Sequence, residues 1–168
     1  MQVSVGEKCA FVRITGRANF TSSVDFKSLL DQLLQKSYTC FVLDLTECVL
    51  MDSTFLGVLA GFGLKLSAPQ LDNVERTISL YNPNPRIAEL LENLGVLHLF
   101  RITEGEIKLP GNAEAKDVKS VNASREEVTR TCLEAHQTLM NINPDNITRF
   151  KDVAAFLADD LKKMKSGS

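Results

Sequence analysis

Asp52, Ser53 and Thr54 put a carboxylate and two hydroxyls where an apolar strand pattern gives way to an apolar helix pattern. Upstream, Phe41, Val42, Leu43 and Leu45 form a short run of strand type. Downstream, Leu56, Val58 and Leu59 open a helix. Asp and Ser are favourable helix caps because a side-chain oxygen accepts from a free amide of the first turn, so a helix is expected to start at or beside these residues. Ser53 then stands at the positive end of that helix. A phosphate placed there meets unpaired amides and a favourable dipole, so the hydroxyl can carry a charged modification at small structural cost. The same three residues also suffice for an ordinary cap.

The whole stretch from Phe41-Val-Leu-Asp-Leu through Met51-Asp-Ser-Thr-Phe-Leu-Gly-Val-Leu resembles the phosphorylation segment of the STAS family, and most of all that of bacterial anti-sigma factor antagonists. There the segment reads as strand, then Asp-Ser-Ser/Thr-Gly-Leu-Gly, then helix, with the Ser after the Asp as the kinase target. Three further stretches fall in the family's order: Phe11 to Gly16 as a strand, Phe20 to Leu34 as the first helix, and Leu80 to Gly95 as strand, loop and helix. The resemblance covers residues 1–104. It implies an α/β fold, a STAS-like mixed sheet of about five strands with helices packed on it. It also implies phosphorylation at Ser53, with Thr54 as the alternative acceptor.

Two positions depart from the family pattern. Phe55 stands where the motif usually has Gly, and Asn19 where antagonists commonly carry Asp in the loop that faces the kinase. A ring beside the acceptor would either block a partner or join its contact surface, and Asn for Asp removes one negative charge. The partner-binding residues expected on this basis are Asn19, Phe20, Asp52, Ser53, Thr54, Phe55 and Asn82. Phe55 is placed at the rim of the site, and Asn82 on the same edge of the domain as Ser53.

The elements that must position these residues follow from periodicity. Strands are expected near 2–5 and 8–15, at 39–45, at 77–81 and at 97–103. Helices are expected over 21–36, capped by Thr21, over 53–67, ended by Ala68-Pro69, and over 86–94, stopped by Gly95. Residues 105–123, with Pro110, Gly111 and Asn112 and no sustained period, read as a linker or irregular segment. Residues 124–165 read as a helical hairpin. Ser124-Arg-Glu-Glu127 has capping-box form, followed by Val128, Cys132, Leu133, Ala135, Leu139 and Met140 on one side. Asn143-Pro144 then opens a second helix with its own stripe from Ile147 to Met164. Two such helices cannot bury both stripes alone, so they must dock on the domain or on a second copy, which leaves a homodimer through these helices open.

Composition excludes several classes. The 168 residues carry 19 Lys plus Arg against 21 Asp plus Glu, a net charge of −2, which gives no electrostatic footprint for nucleic acid or an acidic membrane. The longest apolar run, Phe55 to Leu66, contains Gly57, Gly61, Gly63 and Lys65 and reads as a buried helix rather than a membrane span. The N-terminus has no signal-peptide blocks, so a cytoplasmic chain is expected. Cys9, Cys40, Cys48 and Cys132 form no Cys-x-x-Cys pair and are expected to be buried thiols. His98 and His136 have no partner at metal spacing, so neither metal nor cofactor is expected. Ser53 lacks the Gly-x-Ser-x-Gly frame, and neither histidine is tied to it in sequence, which argues against an enzyme.

The function that the resemblance implies is partner switching. The unmodified Ser53 surface binds a serine kinase that is also an anti-sigma factor and so frees the sigma factor. Phosphorylation breaks that contact by adding about two charges, and a serine phosphatase resets it. The alternative is a STAS scaffold module in a larger signalling or transport complex, without phosphorylation.

Overall fold

The computed structural model describes residues 1–69, 72–111 and 113–167; Asn112, within the segment read as a linker, lies outside the described residues. The chain runs β1 (Gln2–Val5), β2 (Cys9–Arg13), β3 (Gly16–Ala18), α1 (Phe20–Gln35), β4 (Cys40–Asp44), β5 (Cys48–Met51), α2 (Ser53–Ser67), β6 (Thr77–Tyr81), α3 (Pro85–Asn93), β7 (Arg101–Thr103), β8 (Lys116–Asp117), α4 (Arg125–Ile142) and α5 (Asp145–Ser166). The main sheet has six strands in the order β7-β6-β4-β2-β1-β8. β2, β4, β6 and β7 are parallel, while β1 is antiparallel to β2 and to β8, so the sheet is mixed.

All five expected strands are present, with three refinements. The reading of 97–103 as one strand is corrected: Leu97–Leu99 is a single 3-10 turn and only Arg101–Thr103 pairs with β6. Gly95 at φ 70° turns the chain there, and the apolar side chains of Val96 and Phe100 are buried on either side of the turn. Two short strands, β3 and β5, form a separate parallel pair that carries the chain from the sheet into α1 and α2. β8, inside the segment read as a linker, adds to the free edge of β1 through Gln2 and Val3.

Alternation along the strands decides which face meets the helices. Ala10, Val12, Phe41, Leu43, Leu45, Ile78 and Leu80 are buried and join Phe26, Leu30, Leu56, Leu59, Ile87 and Leu91 of the helices in one core. The opposite face carries Phe11, Val42 and the Arg13–Asp44 ion pair, with Ile107 and Leu109 alongside. The thiols are less uniformly buried than expected. Cys48 and Cys132 are buried, but Cys9 and Cys40, opposite one another at the starts of β2 and β4, are only half-buried. Burial, then the neighbouring Cys40 thiol, pushes Cys9 up to about 11. Alkylation of Cys9 at pH 8 should therefore be slower than that of a free cysteine, a difference that mass-spectrometric thiol footprinting reads directly.

The hairpin docks on its own domain. α4 crosses α2 at Gly57, where a Cβ would lie 2.5 Å from the Ala135 carbonyl oxygen, and Leu139 is fully buried in the same core as the sheet. Lys27 of α1 pairs with Glu134 of α4 at 3.0 Å. At the far end, the Asn146 side-chain amide donates to the carbonyls of Leu94 and Leu139, each at 2.9 Å, and so ties the start of α5 both to the end of α3 and to α4. Asn146→Ala leaves two buried carbonyls without that donor and should lower unfolding free energy by about 2 kcal/mol, measurable by urea titration. Among the described residues, no helix is long and apolar enough to cross a membrane.

Candidate functional site

α1 and α2 begin side by side because one carboxylate serves both. Asp52 is the N-cap of α2: its Oδ1 accepts from the Phe55 amide at 2.8 Å, while Oδ2 accepts from the Phe20 amide at the start of α1 at 2.7 Å. The Asp52 amide donates to the Ala18 carbonyl at 2.9 Å, which fixes the residue between β3 and β5. The cap expected at Thr21 lies instead at Asn19. Its Oδ1 accepts from the Thr21 amide and hydroxyl, so α1 starts one residue earlier than expected. An Asp at position 19 would supply the same acceptor, so the Asn keeps the cap and gives up only the charge.

Ser53 is the first residue of α2 and is half-buried. Since Asp52 does the capping, the Ser53 hydroxyl has a different partner: His136 Nε2 of α4, at 2.9 Å. His136 Nδ1 lies 2.6 Å from the Cys132 carbonyl, which can only accept, so Nδ1 carries a proton, and in that tautomer Nε2 accepts from the hydroxyl. The ring is buried and packs against Phe150 of α5.

The sequence reading left His136 untied to Ser53, and that is corrected here. The separation of 83 residues hides the pair, but one signal was present. His136 follows Cys132 by one helical turn on the apolar side of α4, and a polar ring on a buried face needs a partner.

Of the other expected site residues, the structure gathers Asn19, Phe20 and Asp52 around Ser53 and takes two away from the surface. Thr54 is 5% exposed and Phe55 is 1% exposed. The rim position expected for Phe55 is therefore corrected. Its ring turns inward and stacks on Phe26 with centroids 4.4 Å apart and planes 13° apart. Thr54 faces Cys132 of α4. Burial raises that thiol above its ordinary value, the Thr54 hydroxyl offsets part of the rise and the nearby Asp52 carboxylate adds to it. Phe20 is 48% exposed and offers an apolar contact at the rim. Asn82, at φ 56°, uses its side chain on Thr46 and on both backbone groups of Gly105, so it locks two loops beyond the ends of β4 and β6.

The chemistry open to this arrangement is that of an acceptor hydroxyl. The Phe55 and Leu56 amides already bond Asp52. A cavity of about 190 Å³ lies further along α2, lined by Lys27, Gly57, Gly61 and Glu134. No cluster of three metal-type ligands occurs among the described residues.

The family model for the STAS domain matches residues 1–107. No curated protein matches the chain. Among solved structures, a candidate anti-sigma factor antagonist of Thermotoga maritima, TM1081, superposes with a TM-score of 0.52 at 19% identity, over 62% of this chain and 86% of that one. The solution structure of TM1081 gives 0.51 at 18% identity, over 61% and 78%. The anti-sigma factor antagonist SpoIIAA in its unphosphorylated form gives 0.48 at 16% identity, over 61% and 84%.

Proposed function

Because the chain belongs to the STAS domain family, we propose that it is a cytoplasmic partner-switching protein of the anti-sigma factor antagonist kind, regulated by reversible phosphorylation of Ser53. The observation that supports this most is the division of labour at the start of α2. Asp52 holds the helix, and the Ser53 hydroxyl carries no backbone cap, so its modification leaves the helix start in place. The unmodified surface of Asn19, Phe20, Asp52 and Ser53 binds a serine kinase that is also an anti-sigma factor. In the transfer, the γ-phosphorus of ATP bonds to Ser53 Oγ as its bond to the ADP oxygen breaks, and the hydroxyl proton leaves to a base of the kinase. The product carries about two negative charges and three acceptor oxygens, enough to disrupt a packed contact by repulsion and desolvation. A serine phosphatase removes them. The protein is a substrate and binder rather than a catalyst.

Incubation with a cognate switch kinase and ATP should add one phosphoryl group, mapped by mass spectrometry to Ser53. Ser53→Ala should abolish the incorporation. Thr54 should stay unmodified in the native chain because it is buried. The scaffold reading draws on Val153 and Phe156, which α5 leaves 40% and 68% exposed. Absence of incorporation together with stable self-association would favour it over switching.

A further inference from the structure

The family match ends at residue 107, yet the hydroxyl at the centre of the site is held by a residue of α4, well beyond that limit. We propose that the α4–α5 hairpin is a built-in cover for Ser53, closed by the Ser53–His136 hydrogen bond and released when Ser53 is phosphorylated. This rests on Ser53 being the acceptor, and it adds what the modification does inside the chain.

Three observations make the contact a latch rather than incidental packing. First, Ser53 Oγ and His136 Nε2 are 2.9 Å apart, which leaves no room for an atom between them. A phosphoryl group on Oγ either occupies the space of the imidazole or swings away from it. Both arrangements break the bond and leave a buried ring nitrogen without its partner. Second, α4 has little freedom to back away by a small amount. Its backbone is seated against Gly57, where an added Cβ would stand 2.5 Å from the Ala135 carbonyl oxygen. A tightly packed helix crossing responds by staying or by leaving, since packed interfaces are bistable rather than continuously deformable. Third, the new charge enters an unfavourable crevice. The Asp52 carboxylate is adjacent, Cys132 and Thr54 are buried beside it, and the Phe150 ring closes the far side of His136. From α4, the hydrogen-bond partner of the Ser53 hydroxyl is His136 Nε2.

The remaining anchors give the hairpin somewhere to stay while α4 moves. Asn146 holds the start of α5 to Leu94, and the Val121 amide donates to Asp25 at 2.8 Å ahead of α4. These contacts lie away from Ser53, and Leu139, which Asn146 also holds and which is buried in the sheet core, keeps the end of α4 in place, so release opens the start of α4 through His136 and leaves the sheet folded. The closed form covers the His136 side of the hydroxyl and still presents Asn19, Phe20, Asp52 and the exposed part of Ser53 to the kinase, and the modified form holds the start of α4 open until the phosphate is removed.

Amide hydrogen exchange on the full chain tests this without any kinase. Phosphoserine is incorporated at position 53 during synthesis and compared with the unmodified chain and with Ser53→Ala, which removes the hydrogen bond but adds neither bulk nor charge. The expected result is that amides of residues 125–136 exchange about tenfold faster or more in the phosphoserine chain, while β4 and β6 keep their protection. Ser53→Ala should show a smaller increase. Unchanged or increased protection of α4 would overturn the proposal, because it would mean that His136 accommodates the phosphate. Loss of protection from sheet and helices together would overturn it as well, since the hairpin would then not be a separable cover. Should α4 open in the phosphoserine chain while no switch kinase modifies Ser53, the cover stands and the kinase assignment falls.

Discussion

Phe55→Ala should remove about 4 kcal/mol of stability, the largest loss expected from any single side chain around the site. The ring is 1% exposed and lies flat against Phe26, so truncation creates a cavity between α1 and α2 and forfeits an aromatic pair in contact across them. Urea titration followed by far-UV circular dichroism measures the loss. The effect separates two roles for this residue. If Phe55 were a partner contact at the rim, the same substitution would leave stability nearly unchanged and weaken binding instead. Phe55→Gly, which restores the residue usual in the motif, should cost more still, because Gly is also a poorer helix former than Ala. In this chain the ring replaces a small motif residue and welds the two helices whose starts Asp52 already joins.

Gly57→Ala is the second large effect and acts on the hairpin. One added methyl would stand 2.5 Å from the Ala135 carbonyl oxygen and 2.8 Å from the carbonyl carbon, and backbone cannot swing aside as a side-chain tip would. The cost should be about 3 kcal/mol, at the upper end of ordinary overpacking. The substitution is otherwise favourable for α2, because Ala is the better helix former, so a net loss reports the helix crossing and nothing else. Exchange of α4 amides should accelerate while those of β4 and β6 change little. Retention of wild-type stability would show that α4 is not seated on Gly57. In the motif this glycine reads as part of the phosphorylation segment. Here it also lets a second helix approach closely enough for His136 to reach Ser53.

Much of the fold was legible because its signals are local. The apolar run Phe41 to Leu45 reads as a strand and is one, Ser124 with Glu127 forms the capping box that starts α4, and the helix expected over 86–94 is α3 to within one residue at each end. The short strands β3, β5 and β8 escaped notice. Gly16–Ala18, Cys48–Met51 and Lys116–Asp117 show no clear apolar alternation, and each pairs with a strand distant in sequence. The cap of α1 was misplaced by two residues because Asn19 and Thr21 are both competent caps. The choice was made by the Asp52 carboxylate, which holds the Phe20 amide from outside the helix.

By itself, the order of residues determined that a hydroxyl, Ser53, opens a helix directly after a capping carboxylate, and that a pair of amphipathic helices follows the domain. Those properties depend on neighbours within one turn or one strand. Only the tertiary structure decided that Phe55 points inward, that Thr54 is buried, that Asn82 serves two loops, and that His136 closes over Ser53 from 83 residues away. The physical reason is that side-chain direction at a helix start depends on what packs against it. Here that is α1 on one side and α4 on the other, and neither is encoded within the reach of a motif.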